Sequence, residues 1–88
     1  MICKRVIYSG QVQGVGFRYT ARRVAQGFAI AGYVRNLPNG DVELVAEGPA
    51  DQVNAFLAAV ARGMAGYIQN CTAREESPGS YQGFEIRF

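Results

Sequence analysis

Polar and apolar residues alternate along several short segments of the chain, the pattern of strands with one buried face. The alternation runs through residues 2–9, 33–37, 41–47 and 84–88, and more weakly through 67–75. The dipeptide Asn39-Gly40 between the second and third segments predicts a hairpin. In the third segment the buried face is expected to carry Val42, Leu44 and Ala46, and a mostly solvent-exposed face to carry Asp41, Glu43, Val45 and Glu47.

Two other segments carry apolar residues at spacings of three and four, which predicts amphipathic helices. Their apolar stripes consist of Phe17, Ala21, Val24 and Phe28 in the first helix and of Val53, Phe56, Leu57 and Val60 in the second. The first helix is expected to end near Gly27, a residue suited to the left-handed position past a helix. Gly63 is expected to end the second helix.

The element order is therefore βαββαβ followed by a terminal strand. Two amphipathic helices each need an apolar surface, and one face of a sheet supplies both. The economical arrangement is a ferredoxin-like, two-layer α+β sandwich, with both helices on one face of a mixed sheet. The chain has 88 residues, which suffice for a single domain over residues 1–88 and for no second one.

The composition limits the kinds of catalytic and metal site that the chain can form, mainly because certain residue types are absent. The chain has no His, so the usual general base and the commonest metal ligand are missing. A formal net charge of +2 is too small to indicate a nucleic-acid partner. There is no signal-peptide pattern and no apolar run that would span a membrane. We expect a cytoplasmic monomer without metal or cofactor.

A glycine-rich turn joins the first strand to the first helix, over residues 10–18, Gly-Gln-Val-Gln-Gly-Val-Gly-Phe-Arg. Such a turn directs backbone N–H groups into one concavity, and the amino end of a helix favours negative charge. Arg18 begins the helix, where it can add a charge-assisted hydrogen bond to a phosphate or carboxylate. The turn is a candidate anion site, and a merely tight turn beside a solvated Arg18 fits the same spacing.

Asn36 is the second candidate, because strand alternation gives it the same face as Val34. If Val34 faces the helices, the amide of Asn36 lies at the edge of the buried face, where a polar group needs a partner or has a role. The pattern alone favours a simpler interpretation, in which Asn36 caps the hairpin that follows.

At these residues the chain resembles the acylphosphatase family. Residues 12–18, Val-Gln-Gly-Val-Gly-Phe-Arg, are similar to the signature loop of that family. Residues 32–36, Gly-Tyr-Val-Arg-Asn, followed by Asn39-Gly40, are similar to its second signature. The resemblance extends over nearly the whole chain, and together the two motifs are far more specific than either alone.

The resemblance implies hydrolysis of acyl phosphates to a carboxylate and inorganic phosphate, without a cofactor or metal. Arg18 matches the phosphate-binding arginine of the family, and Asn36 matches the asparagine that orients the attacking water. The family's phosphate cradle is matched by the backbone amides of Gln13, Gly14, Val15, Gly16 and Phe17. The family's fold is the ferredoxin-like sandwich with an added strand, in agreement with the element order.

Two other functions suit the predicted fold. RNA-binding sandwiches display aromatic side chains on the sheet, whereas the strand at 41–47 has none and its outer face is expected to be acidic. A regulatory domain that binds an anion at the glycine-rich turn without turnover is the remaining alternative. Among other residues, Cys3 and Cys71 are expected to be unpaired strand residues, and Tyr19 and Tyr33 to be aromatic neighbours of the core or the pocket.

Overall fold

The computed structural model describes all residues, 1–88, as a five-stranded sheet with two helices on one face. The elements are β1 (Ile2–Gly10), α1 (Phe17–Ala25), β2 (Ala31–Asn36), β3 (Val42–Gly48), α2 (Ala50–Gly63), β4 (Ile68–Glu76) and β5 (Phe84–Arg87). The strand order is β4-β1-β3-β2-β5. All neighbours are antiparallel except β2 and β5, which are parallel. The predicted α+β sandwich with βαββαβ order and a terminal strand is confirmed.

The main core fills the space between the helices and the sheet, as the apolar stripes predict. In α2, Val53, Phe56 and Val60 are fully buried, and Leu57 lies at the margin. The ring of Phe56 is at the centre, with its centroid 6.0 Å from that of Phe28 and 5.3 Å from that of Phe84. Burial of these side chains holds both helices against one face of the sheet.

The predicted hairpin joins β2 and β3, with Asn36 paired to Val42. The N–H of Gly40 donates to the carbonyl of Leu37 at 3.1 Å, and the N–H of Leu37 donates to the carbonyl of Asp41 at 2.8 Å. The connection is therefore a three-residue loop over 38–40, one residue longer than the tightest hairpin turns.

The outer face of β3 differs from the prediction, because Glu43 and Glu47 are buried and only 3% and 4% exposed. Glu43 accepts hydrogen bonds from the hydroxyl of Tyr33 at 2.9 Å and from Arg35 Nε and Arg5 Nη1, each at 2.7 Å. Strand alternation could not predict this burial, because the covering side chains belong to the neighbouring strands β1 and β2.

Glu47 is covered by the segment that joins β4 to β5. Its carboxylate accepts the backbone N–H groups of Gly79 at 2.7 Å and Tyr81 at 2.8 Å. The ring of Tyr81 packs against Tyr33 with centroids 5.7 Å apart, over a second small cluster with Cys3 and Val45. The outer face is therefore a packed polar layer, and the expectation of a mostly solvent-exposed acidic face was wrong.

The helix α1 ends near Gly27, as predicted, but not through a left-handed residue. Gly27 follows the helix closely but does not have a positive φ. Instead, the N–H groups of Gln26, Gly27 and Phe28 each donate to the carbonyl three residues earlier, at 3.1–3.3 Å. Successive right-handed turns of this kind tighten the end of the helix and satisfy its last carbonyls without a left-handed residue.

The two cysteines are free, as predicted: Cys3 is buried and Cys71 is exposed. Burial raises the pKa of the Cys3 thiol, and the charges of Glu47 and Glu76 raise it further. Cys71 lies on β4, an edge strand whose central residues are all exposed. Neither helix meets the length and apolarity that a membrane crossing requires.

Candidate active site

The glycine-rich turn and the end of β2 meet at one edge of the sheet. Both β1 and β2 run antiparallel to β3, so their carboxyl ends lie at the same edge. Val42 of β3 is paired with Tyr8 on one side and with Asn36 on the other. Two strand spacings of about 4.8 Å therefore separate the end of β1 from Asn36, a gap that the following turn spans.

A pocket of about 180 Å³ lies at this edge and is lined by Val12, Gly14, Gly16, Phe17, Arg18, Tyr19 and Asn36. Its lining contains one formal charge, that of Arg18, and no carboxylate. Sites for drug-sized ligands usually measure about 300–1,000 Å³, so this pocket suits a smaller ligand. The charge and the size both point to a small anion.

The backbone of the turn presents an unusual number of free donors. The N–H groups of residues 13–19 donate to no backbone carbonyl, and the first helical hydrogen bond is that from Thr20 to Gly16. Gly14 and Gly16 have φ angles of 77° and 78°, a left-handed conformation that side-chain-bearing residues avoid. Free N–H groups together with the dipole of α1 make this turn electropositive.

Phe17 fastens the turn to the core. Its ring is 2% exposed and its centroid lies 4.9 Å from that of Tyr8 near the end of β1. The aromatic pair ties the beginning of α1 to the strand that precedes the turn. The side chain of Phe17 therefore has a packing role, while its backbone N–H remains among the free donors.

Arg18 carries a charge that no acidic side chain neutralises, since it takes part in none of the ion pairs of the protein. The side chain is half-buried, and its guanidinium carbon lies 4.8 Å from the centroid of the Phe88 ring. A cation over an aromatic face is held electrostatically while its N–H groups remain available as donors. Arg18 is thus free to bind an anion in the pocket.

Asn36 shares a face with Val34, which is fully buried among the helices, as the alternation predicts. Its side chain is half-buried and is not among the side chains that hydrogen bond within the protein. The simpler interpretation, a hairpin cap, is not supported, because the side chain that binds the carbonyls of the hairpin is that of Gln13.

The pocket brings together most, though not all, of the predicted residues. Gly14, Gly16, Phe17, Arg18 and Asn36 line it, whereas Gln13 and Val15 do not. Tyr19 lines it as well, and Tyr33 does not, because Tyr33 faces the opposite side of the sheet. Val12, for which the sequence predicted no role of its own, also lines the pocket. The contact of Gln13 with the hairpin had no signal in the sequence beyond a polar residue among glycines.

A larger pocket, of about 270 Å³, lies on the outer face near β1 and β4. Its arginines are Arg5 and Arg74. Arg5 is already paired with Glu43 and Glu76 at 2.7 Å, and Arg74 lies 3.8 Å from Glu76. Paired guanidinium groups attract an added anion weakly, so the smaller pocket at Arg18 is the better anion site.

Comparison with known proteins shows the family of this chain. The sequence model of the acylphosphatase family matches residues 4–86. An acylphosphatase from Methanospirillum hungatei is 46% identical over 88 residues, covering 96% of this chain and 97% of the relative. One from Acaryochloris marina is 42% identical over 87 residues, covering 98% and 94%.

A solved structure gives the same result at the level of the fold. The crystal structure of acylphosphatase from Bacillus subtilis superposes with a TM-score of 0.92 at 36% identity, with complete coverage of both chains. The family model spans both the glycine-rich turn and the end of β2, the two segments that form the pocket. The chain therefore belongs to the acylphosphatase family.

Proposed function

We propose that the pocket at Arg18 is the active site in which this chain hydrolyses acyl phosphates by direct attack of water at phosphorus. As an acylphosphatase, the chain cleaves the carboxyl–phosphate bond and releases a carboxylate and inorganic phosphate. The observation that carries the proposal is the pocket itself, which combines one unpaired guanidinium, a turn with free N–H groups and the amide of Asn36.

Arg18 and the turn hold the phosphoryl group in this proposal. The backbone N–H groups of Gln13, Gly14, Val15, Gly16 and Phe17 donate to the phosphoryl oxygens, and Arg18 donates to them with its guanidinium. Phosphoryl transfer depends mainly on positioning and on stabilising charge on the equatorial oxygens. These donors supply both, and the pocket lining contributes no carboxylate, thiolate or imidazole to bind a metal.

Asn36 orients the water through its side-chain carbonyl, which accepts one hydrogen of the water. The oxygen of the water forms the new bond to phosphorus while the bond from phosphorus to the acyl oxygen breaks. The electron pair of that bond leaves with the carboxylate. One proton of the water passes to a phosphoryl oxygen, and the other stays on the oxygen that attacked. A carboxylate with a conjugate acid of pKa about 4 departs without a proton, so no general acid is needed.

The phosphate role is tested with Arg18→Gln in steady-state hydrolysis of benzoyl phosphate in EDTA. We expect wild-type turnover to survive the chelator and kcat/KM of the variant to fall about 100- to 1,000-fold, as for loss of one charge-stabilising donor. Competitive inhibition by inorganic phosphate should weaken as well. Arg23→Gln removes an exposed arginine on the same helix and should leave both constants unchanged. Undiminished phosphate inhibition in Arg18→Gln contradicts the assignment.

The water role is tested with Asn36→Ala. Because a misplaced nucleophile costs about 100-fold in rate, we expect kcat to fall by that order while the inhibition constant of phosphate stays within about twofold of wild type. Asn70→Ala, at an exposed position of β4, is the matched control with normal kcat. Normal turnover in Asn36→Ala removes that residue from the mechanism.

The proposed reaction uses a small-molecule acyl phosphate as its substrate. We propose that the enzyme acts as a cytoplasmic monomer without a nucleic-acid partner. Specific activity that does not change with protein concentration in the same assay supports the monomer, and specific activity that falls on dilution contradicts it.

A further inference from the structure

The side chain of Gln13 spans the gap between the glycine-rich turn and the β2–β3 hairpin. Its Nε2 lies 2.8 Å from the carbonyl oxygen of Leu37 and 2.8 Å from that of Asp41. A carboxamide NH2 has two hydrogens, and two carbonyls accept them here. Both donors of Gln13 are thus used to hold the hairpin.

The two carbonyls belong to the segment that directly follows Asn36. The carbonyl of Asp41 also accepts the N–H of Leu37 at 2.8 Å, so Gln13 binds the point at which the hairpin loop closes. Residues 11–16 and residues 36–41 share no other hydrogen bond. The remaining bonds of the turn run from the N–H of Gln11 to the carbonyl of Tyr67 and from the N–H of Thr20 to the carbonyl of Gly16. Gln13 is the one polar link between the phosphate turn and the strand end that carries Asn36.

The position of Asn36 relative to the turn depends on such a link. The side chain of Asn36 hydrogen bonds to no protein group, so its placement follows that of its own backbone. The turn contains two glycines in left-handed conformations, Gly14 and Gly16, and its N–H groups from residue 13 onward bind no backbone carbonyl. Apolar packing of Val12 and Phe17 anchors both ends of the turn in the core, and Val15 packs partly against it. The hydrogen bonds that connect the turn to the hairpin come from Gln13.

We propose that Gln13 is a positioning residue that sets the distance between the phosphate-binding turn and the water bound to Asn36. The inference rests on the proposed function, because it needs a phosphate in the turn and a water at Asn36. We call the two hydrogen bonds from Gln13 to the hairpin the clasp. A displacement of about 1 Å between reacting groups costs about 100-fold in rate, so loss of the clasp should lower kcat. The side chain of Gln13 touches neither the substrate nor the water, and only its backbone N–H belongs to the proposed phosphate site.

The first test is Gln13→Met, which keeps the length of the side chain and removes both donors. We expect kcat for benzoyl phosphate to fall at least about 10-fold. The inhibition constant of inorganic phosphate should stay within about twofold, because Arg18 and the backbone donors remain. Gln11→Met is the matched control: Gln11 lies two residues earlier, is exposed and has only a backbone hydrogen bond. Equal kcat in Gln13→Met and wild type overturns the proposal.

A double-mutant cycle separates positioning from a general structural effect. In an Asn36→Ala background, Gln13→Met should lower kcat by less than about twofold, because no oriented water remains to be displaced. Losses that multiply across the two sites overturn the clasp and leave the proposed function standing. Normal kcat in Asn36→Ala alone contradicts the water role in the proposed function, and the clasp fails with it.

Gln13→Glu provides a second test in case Gln13→Met does not fold, because Glu has the same shape as Gln. Its ionised carboxylate has no hydrogen to donate and faces two carbonyl oxygens, so kcat at neutral pH should fall at least as far as in Gln13→Met. Protonation restores one donor, and kcat relative to wild type should therefore rise on acidification. A ratio that does not change with pH overturns the proposal, since loss of packing alone is insensitive to that proton.

Discussion

At the scale of single residues, Glu43 differs most from what its local pattern suggests. It is a buried carboxylate that accepts hydrogen bonds from Tyr33, Arg35 and Arg5. Burial by itself raises the pKa of Glu43, but the bonds from Tyr33 and Arg35 and the charge of Arg5 outweigh it and hold that pKa below its usual range. Burial and the bond to Glu43 raise the pKa of Tyr33 in turn.

The depressed pKa of Glu43 makes the stability of the fold dependent on pH. A carboxyl whose pKa is lower in the folded than in the unfolded chain stabilises the fold fully above its unfolded pKa, about 4.3 for Glu. That contribution is lost as the pH falls below this value through the folded pKa. Replacement by Gln removes the charge and keeps the shape of the side chain.

We therefore predict that Glu43→Gln lowers the free energy of unfolding at pH 7 by about 1.5–3 kcal/mol, the range for hydrogen bonds to charged groups. The difference from wild type should shrink as the pH falls below about 4.3, the ordinary pKa of Glu, because the unfolded chain then binds a proton before the folded one does. Urea unfolding at a series of pH values measures both. Glu85→Gln, which removes an exposed partner of Arg87, should cost at most about 1 kcal/mol. A difference that stays constant down to pH 3 contradicts this reading.

At the scale of elements, the junction of the glycine-rich turn with α1 combines stability and chemistry. Gly16 precedes the helix with a φ of 78° and no side chain caps the helix there. A Cβ at Gly16 would meet no atom within 4 Å. Any cost of a side chain at this position therefore comes from the backbone conformation and not from a clash.

Gly16→Ala should accordingly destabilise the fold by about 1–2 kcal/mol, the cost of a left-handed conformation for an L-residue. The same change should raise the inhibition constant of phosphate, because a shifted turn no longer aims its N–H groups at one point. Urea unfolding and inhibition assays measure the two effects. Gly66→Ala is the control, with open space and no positive φ, and should be neutral or slightly stabilising. Identical behaviour of the two variants contradicts the role given to the turn.

Local patterns predicted the elements well because the spacing of apolar residues in each segment indicates the one face that the segment buries. The stripe of Val53, Phe56 and Val60 could only be the face of a helix on a core, and those residues are fully buried. The backbone conformation at the end of α1 was predicted less well than its position. A glycine after a helix permits a left-handed residue without requiring one, and the chain closes α1 with right-handed turns instead.

At the scale of the whole molecule, both faces of the sheet are covered at the central strand β3, but by different means. The helices cover one face with apolar side chains. Arginine and tyrosine side chains from neighbouring strands, together with the segment before β5, cover the other. This second layer is why the outer face of β3 is buried, although strand alternation predicts a mostly solvent-exposed face.

The amino-acid sequence by itself determined the order of the elements and the class of fold, and it offered Arg18 and Asn36 as candidate site residues. Helical and strand spacing and Asn39-Gly40 are local features, and local backbone physics is enough to interpret them. The roles expected of Arg18 and Asn36 came from the resemblance of their motifs to the acylphosphatase family, because spacing alone left other interpretations open. Only the tertiary structure decided the burial of Glu43 and Glu47 and the bond from Gln13 to the hairpin. Each of these depends on side chains far apart in the chain, which meet only when β1, β2 and β3 align in one register.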